Sequence, residues 1–212
     1  MTSKINDLKQ VEKSHYEFSE YVQKHRWVSI YHQLDEVLKL NPSTVLEVGP
    51  GPGLFKLLAG HFGMTVETVD IDPELNPDYV ASATELPFAD NSYDCVCAFQ
   101  MLEHLPYELF VQAFSEMVRV AKDSIVISLP DAKNAWTFSV QDTSFRRINI
   151  QIPKPTLRPL PHDFDGEHYW EINKRGYPLG KIIGDLTKNN VDIVTTYRVD
   201  ECLYHRFFVL KK

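Results

Sequence analysis

The chain reads as an α/β protein: a doubly wound, mostly parallel sheet with helices on both faces. Three observations carry that reading. Short apolar runs alternate with helical patterns between residues 44 and 130, the rhythm of repeated strand–helix–strand units. One such run, Val45-Leu46-Glu47-Val48, breaks into a loop with glycine at every second position, Gly49-Pro50-Gly51-Pro52-Gly53, before an apolar helix begins. The C-terminal end holds two β-rich runs joined by a short polar turn, a hairpin that makes the last strand antiparallel.

Residues 3–40 carry Tyr21, Val22, Val28, Ile30, Tyr31, Leu34, Val37 and Leu38 at near-helical spacing, so an N-terminal helical region is expected. Asn41-Pro42 ends it, because a residue before proline is pushed out of the helical region. The first strand leads into the glycine loop, and the helix from Leu54 to Phe62 stops at Gly63. Thr65-Val66-Glu67-Thr68-Val69-Asp70 is the second strand, Tyr79 to Ser82 a short third, and Cys95 to Phe99 the fourth. Pro106 suits the first turn of a helix that continues through Phe110, Ala113, Phe114, Met117 and Val118. Ser124 to Leu129 is the fifth strand.

Residues 131–180 break the rhythm. The run from Ile152 to Pro161 holds four prolines in ten residues, which predicts extended or polyproline-like chain. The aromatic and apolar content of this insert favours an ordered lid. Residues 178–189 return to a helical pattern, with Leu179, Ile182, Ile183 and Leu186 on one face. Val191–Val199 and Leu203–Leu210, separated by Asp200-Glu201-Cys202, form the terminal hairpin. The division expected is a single domain over 1–212. It comprises a helical cap (1–42), a cofactor-binding core (43–130), an acceptor-side insert (131–180), and a terminal helix and hairpin (181–212).

Composition narrows the function classes. With 43% apolar and 24% charged residues the chain is an ordinary globular one. A net charge of −7 argues against a general nucleic-acid-binding surface. No run approaches the roughly 18 apolar residues that suggest a membrane span, and the N-terminus is polar rather than signal-like. The three cysteines cannot all pair, and Cys95 and Cys97 project to one face of a strand, where they cannot bridge comfortably. Buried reduced thiols and a cytoplasmic location are the expectation.

The glycine loop is a nucleoside-cofactor site by its chemistry. Glycine permits positive φ and close ligand approach, and loop and helix N–H groups face that ligand. A dinucleotide fingerprint requires a third glycine, but Leu54 or Lys56 stands there, depending on the frame. A phosphate-cradling G-x-x-x-x-G-K-[ST] loop is also absent. What remains is E-x-G-x-G-x-G, with Glu47 placed to receive a cationic amino group or to hold the loop.

Here the chain resembles the class I S-adenosylmethionine-dependent methyltransferases. Asp70 follows the first glycine by about twenty residues, where a carboxylate can accept from both ribose hydroxyls. Ala81-Ser82-Ala83-Thr84-Glu85-Leu86-Pro87-Phe88-Ala89-Asp90-Asn91-Ser92-Tyr93-Asp94 is similar to the D-A-x-x-L-P-F-x-D-x-S-F-D run of the type 11 subfamily, which includes small-molecule and lipid-precursor methylases. Gln100-Met101-Leu102-Glu103-His104 resembles that subfamily's x-x-L-E-H turn. The resemblance covers residues 44–130. It implies a Rossmann-like seven-stranded sheet of order 3-2-1-4-5-7-6 with strand 7 antiparallel. It also implies S-adenosyl-L-methionine as cofactor and a small-molecule methyl acceptor. Implied cofactor contacts are Glu47, Gly49, Pro50, Gly51, Gly53, Asp70, Ile71, Ser82, Ala83 and Gln100. Ser82 stands where the family usually has aspartate, so its contact with the adenine amino group is a weaker, neutral one.

A sulfonium methyl is already activated, so catalysis is mainly positioning, and a base is needed only for an acceptor protonated at working pH. His104, at the rim after the fourth strand, and His168 are the catalytic candidates; capping or core packing is the plainer reading of His104. The run His162-Asp163-Phe164-Asp165-Gly166-Glu167-His168 reads either as a polar turn or as acceptor recognition through Glu167 and His168. Its spacing matches neither a Ca²⁺ loop nor a zincin helix, and no metal site is expected. Trp27, Trp136, Tyr169 and Trp170 are candidates for the acceptor pocket or for ordinary core.

Ala98-Phe99-Gln100-Met101-Leu102 lacks the N/D-P-P-Y/F element of base and glutamine amino-methylases, and the further acids of the metal-dependent catechol type are missing near strands 4 and 5. Two rival readings stand beside methyl transfer. One is a non-catalytic S-adenosylmethionine-binding sensor or partner protein. The other is a dehydrogenase, disfavoured by the missing third glycine.

Overall fold

The computed structural model describes residues 23–141, 143, 147–155, 159–164 and 166–212. In chain order the elements are α1 (Lys24–Leu40), β1 (Thr44–Val48), α2 (Leu54–His61), β2 (Thr65–Asp70), β3 (Tyr79–Val80), β4 (Tyr93–Phe99), α3 (Tyr107–Val120), β5 (Ala121–Pro130), β6 (Ala135–Gln141), β7 (Arg147–Pro153), α4 (Leu179–Thr187), β8 (Asp192–Val199) and β9 (Cys202–Lys211). The expected helical region is present as α1, while residues 3–22 lie outside the described residues.

Seven strands form one sheet in the order β3-β2-β1-β4-β5-β9-β8. β1 pairs in parallel with both β2 and β4, and β9 runs antiparallel between β5 and β8. This is the anticipated order, with β8 and β9 as the sixth and seventh strands. The alternation of side chains explains why both faces are covered. Leu46, Val96, Ile125, Ile127 and Phe208 face α3 and α4, where Phe110, Phe114, Met117, Ile182 and Leu186 complete one core. Val45, Cys95, Cys97, Val126 and Phe207 face the other way, against Val37 of α1 and Phe55 and Ala59 of α2. Cys95, Cys97 and Cys202 are buried free thiols.

The insert differs from the irregular lid expected. β6 and β7 form a separate two-stranded antiparallel ribbon, in register Trp136↔Ile152, Phe138↔Ile150 and Val140↔Ile148. Those six apolar side chains share one face and are exposed. The prolines do not prevent this pairing, because the first of them, Pro153, stands at the end of β7. Among the described residues no helix is long and apolar enough to cross a membrane.

Candidate active site

The sheet's winding reverses between β1 and β4, and the crevice beyond their C-terminal ends is where ligands of such sheets bind. β1 delivers Glu47 and the loop. Gly49, Gly51 and Gly53 take φ of 70°, 53° and 71°, a left-handed alternation that only glycine adopts without strain. The Gly49 N–H bonds to Val69 O at 2.9 Å, and the Gly53 N–H closes the turn on Pro50 O at 3.0 Å. These two donors are therefore engaged inside the fold, contrary to the simple picture of loop amides facing a ligand. A Cβ at Gly49 would collide with the Met101 side chain, so the loop packs directly on the segment that follows β4.

Glu47 is 3% exposed, and its Oε2 has no hydrogen-bond partner among the described residues. Burial pushes this carboxyl up to about 8, against the pull of the Lys56 charge. An uncompensated buried carboxyl is costly to the fold, and a cation beside it would remove the cost. At the end of β2, Asp70 Oδ1 accepts the Asp72 N–H at 2.9 Å. Burial raises the Asp70 carboxyl, opposed by that bond. The Ser82 hydroxyl is engaged locally, 2.8 Å from Thr84 Oγ1. Gln100 adopts φ of 51°, unusual for its type, while its backbone N–H bonds to Ser128 O at 3.0 Å and its Nε2 to Ser128 Oγ at 3.2 Å.

Beyond Gln100 a single 3₁₀ turn, Leu102–His104, presents a second group of polar residues. Glu103 is fully buried, and neither carboxylate oxygen has a hydrogen-bond partner among the described residues. Burial pushes its carboxyl up to about 7, against the His168 charge. The His104 Nδ1–H donates to Glu167 O at 3.0 Å, and the His104 and His168 rings meet edge-on with centroids 5.0 Å apart. His168 Nδ1 lies 3.4 Å from Glu171 Oε1 and 3.2 Å from the Tyr204 hydroxyl. His205 Nδ1 stands 2.7 Å from Ser29 Oγ, and burial pushes that imidazole down to about 3, so it is neutral.

One cavity of about 370 Å³ joins the two groups. Glu47, Gly49, Pro50, Gly51, Asp70, Ile71, Ser82, Ala83, Gln100, His104 and His168 all line it. Gly53 does not, and serves instead as the left-handed N-cap of α2. The aromatic candidates are not in the lining. Trp170 is a core residue packed 4.6 Å from Phe110, with its indole N–H on Leu105 O. Trp136 is on the exposed ribbon, Trp27 is exposed, and Tyr169 packs against Phe164. The lining also includes Arg26 and Gln33 from α1, Glu103, and Tyr204 and His205 from β9, none of which stood out as a site residue in the sequence. Only Glu103 carried a signal, through its place in the x-x-L-E-H turn.

The fold is a doubly wound sheet with one cavity at the point where its strand order reverses. A family profile described as "Methyltransferase domain" matches residues 46–127. An uncharacterized methyltransferase from Mycobacterium sp. (strain JLS) is 38% identical over 89 residues, covering 37% of this chain and 34% of that protein. The chain thus matches about a third of the length of the curated relatives it resembles. Among solved structures, a protein from Pyrococcus horikoshii OT3 is similar with a TM-score of 0.62 and 16% identity, over 95% of this chain and 99% of that one. An S-adenosylmethionine-dependent methyltransferase from Mesorhizobium loti gives 0.59 and 15%, over 89% and 98%.

Proposed function

We propose that the protein is an S-adenosylmethionine-dependent methyltransferase acting on an oxygen, nitrogen or carbon nucleophile of a small metabolite or a lipid or sugar precursor. The observation that carries this reading is the buried Glu47 carboxyl with its unpartnered Oε2, in one cavity with Asp70. This donor set fits the cofactor: a carboxylate for its ammonium group and a second carboxylate, one β-strand away, for its ribose hydroxyls. Ile71 and Ala83 flank the adenine, Ser82 gives it a neutral contact, and Gly49, Pro50 and Gly51 let the amino-acid portion lie against the backbone. Gly53 sets the turn that holds them.

When bound, the cofactor supplies a sulfonium methyl whose bonding electrons stay on sulfur as the methyl leaves. The chain's own task is to hold the acceptor in line and to take its proton where it has one. Gln100 faces the methyl region. His104 and His168 line the acceptor end and are the residues able to accept that proton. In this reading residues 43–130 bind the cofactor, Glu167 and His168 of the insert and Arg26 and Gln33 of α1 border the acceptor, and 181–212 complete the sheet. The unpaired thiols of Cys95, Cys97 and Cys202 suit a reducing cytoplasm.

Calorimetric titration with S-adenosylmethionine and, separately, with NADH tests the reading. Micromolar binding of the former alone is expected, followed by S-adenosylhomocysteine formation with an acceptor panel. NADH binding alone, or binding of neither, overturns it. The local engagement of Ser82 favours one second reading, a non-catalytic sensor, whose signature is cofactor binding without turnover.

A further inference from the structure

The geometry points to a divalent-cation site formed by Glu103, His104 and His168 at the acceptor end of the cavity. Each residue brings one ligand atom, a carboxylate oxygen or a ring nitrogen, and these atoms all lie within 4.8 Å of one another. Around a cation with bonds of about 2.1 Å, ligand atoms stand about 3 to 4 Å apart, so small side-chain rotations close the set.

Two further features distinguish this group from a chance polar cluster. Glu103 is fully buried, lines the cavity, and has both oxygens unpartnered among the described residues. A carboxylate is buried in that state only at considerable cost, which a cation would offset. The imidazoles are also oriented from behind. The Nδ1–H of His104 donates to the Glu167 carbonyl, and Nδ1 of His168 faces the Glu171 carboxylate, itself held by the Tyr204 hydroxyl at 2.7 Å. A proton held on Nδ1 places the lone pair on Nε2, the arrangement of metal-bound histidine with an outer carboxylate or carbonyl.

Two imidazoles and one carboxylate suit a first-row transition cation such as Zn²⁺, Mn²⁺, Fe²⁺ or Co²⁺ better than Mg²⁺ or Ca²⁺, which prefer oxygen throughout. Three protein ligands leave positions open towards the cavity. Given the methyltransferase reading, on which this part rests, the open positions hold an oxygen donor of the acceptor. With both imidazoles holding the cation, they no longer serve as bases; the bound hydroxyl releases its proton to water instead, and the acceptor class narrows to oxygen nucleophiles.

The test uses the full chain after chelator treatment, titrated with Co²⁺ by calorimetry and visible absorption, and in parallel with S-adenosylmethionine. We expect one Co²⁺ per chain with visible bands of nitrogen and oxygen ligation. Glu103→Gln and His168→Ala should each weaken Co²⁺ at least tenfold, while His61→Ala, at an exposed position, leaves it unchanged. Circular dichroism establishes that the variants fold, and the His168→Ala arm decides if Glu103→Gln does not. Absence of Co²⁺ binding, or binding indifferent to both substitutions, overturns the site. S-adenosylmethionine binding without Co²⁺ refutes the metal site alone, and Co²⁺ binding without S-adenosylmethionine refutes the methyltransferase reading alone.

Discussion

Arg206 Nε donates a 2.8 Å hydrogen bond to Oδ2 of Asp131, a buried carboxylate just past the end of β5. The other oxygen of Asp131 accepts from Asn173 Nδ2 at 2.8 Å and from the Lys133 N–H at 2.9 Å, and Arg198 Nε lies 3.8 Å from Oδ2. The Asp131 N–H also bonds to Tyr204 O at 2.7 Å. One residue thus ties β5, β9 and the segment after His168 together beside the part of the cavity that His168 and Tyr204 line.

Removing that carboxylate leaves two largely buried guanidinium groups without a counter-charge. Asp131→Ala should therefore cost about 3–5 kcal/mol of stability. The double change Asp131→Leu/Arg206→Met should cost less than the sum of the two single changes, because the interaction is lost only once. Urea unfolding of Asp131→Ala and of the four proteins in the Asp131→Leu/Arg206→Met cycle measures both quantities.

On the cofactor side, Asp70→Ala removes a charged acceptor and should weaken S-adenosylmethionine about 10- to 100-fold. Gly51→Val forces a β-branched residue to a φ of 53°, a strain of about 1–2 kcal/mol, and sets a side chain at the cavity wall. A comparable loss of affinity is expected, with folding retained. Calorimetry alongside circular dichroism checks both, and normal binding by either variant would remove that residue from the cofactor site.

What was legible in the sequence depended on how local the signal was. The glycine loop, the acid ending β2 and the apolar runs of β4 and β5 lie in short windows, and sheet order follows once they are read together. The β6–β7 ribbon was obscured by a proline-rich run that overlaps β7 only at Ile152 and Pro153, while the alternating Trp136, Phe138 and Val140 gave the relevant period. Trp170 could be read as pocket or as core and is core, because a lone aromatic carries no direction until its helix partner Phe110 is known. Arg26, Tyr204 and His205 reach the cavity from α1 and β9, far from the glycine loop in sequence, so no spacing could reveal them. The Glu103, His104 and His168 cluster is hidden for the same reason.

Arg119 fixes the motif segment between β3 and β4. Its guanidinium donates to Leu86 O at 3.0 Å and Phe88 O at 2.7 Å, and pairs with Glu116 at 2.8 Å and Asp90 at 2.9 Å. Two of those partners are backbone carbonyls that would otherwise need water. Arg119→Ala should cost about 2 kcal/mol, and Arg119→Lys should recover little, because an ammonium cannot span the same fork. Thermal unfolding of both variants tests this.

Glu47 makes the ligand-free protein sensitive to pH in an unusual direction. Its carboxyl is raised from about 4.5 in the unfolded chain to about 8 in the fold, by burial. Between those values the unfolded chain has released the proton and the folded protein has kept it, so the unfolded state binds fewer protons. Stability therefore falls as pH rises from about 5 to about 8, by a few kcal/mol. Glu47→Gln keeps the shape and removes the titration, so its stability should lack this decline and exceed the parent's at pH 8. S-adenosylmethionine should restore the parent at pH 8 by placing its ammonium beside the carboxylate, and should bind the variant more weakly. Urea midpoints at pH 5, 6.5 and 8, with and without S-adenosylmethionine, measure these effects. A parent whose stability holds level across that range would show that Glu47 is already ionised and paired in the ligand-free fold.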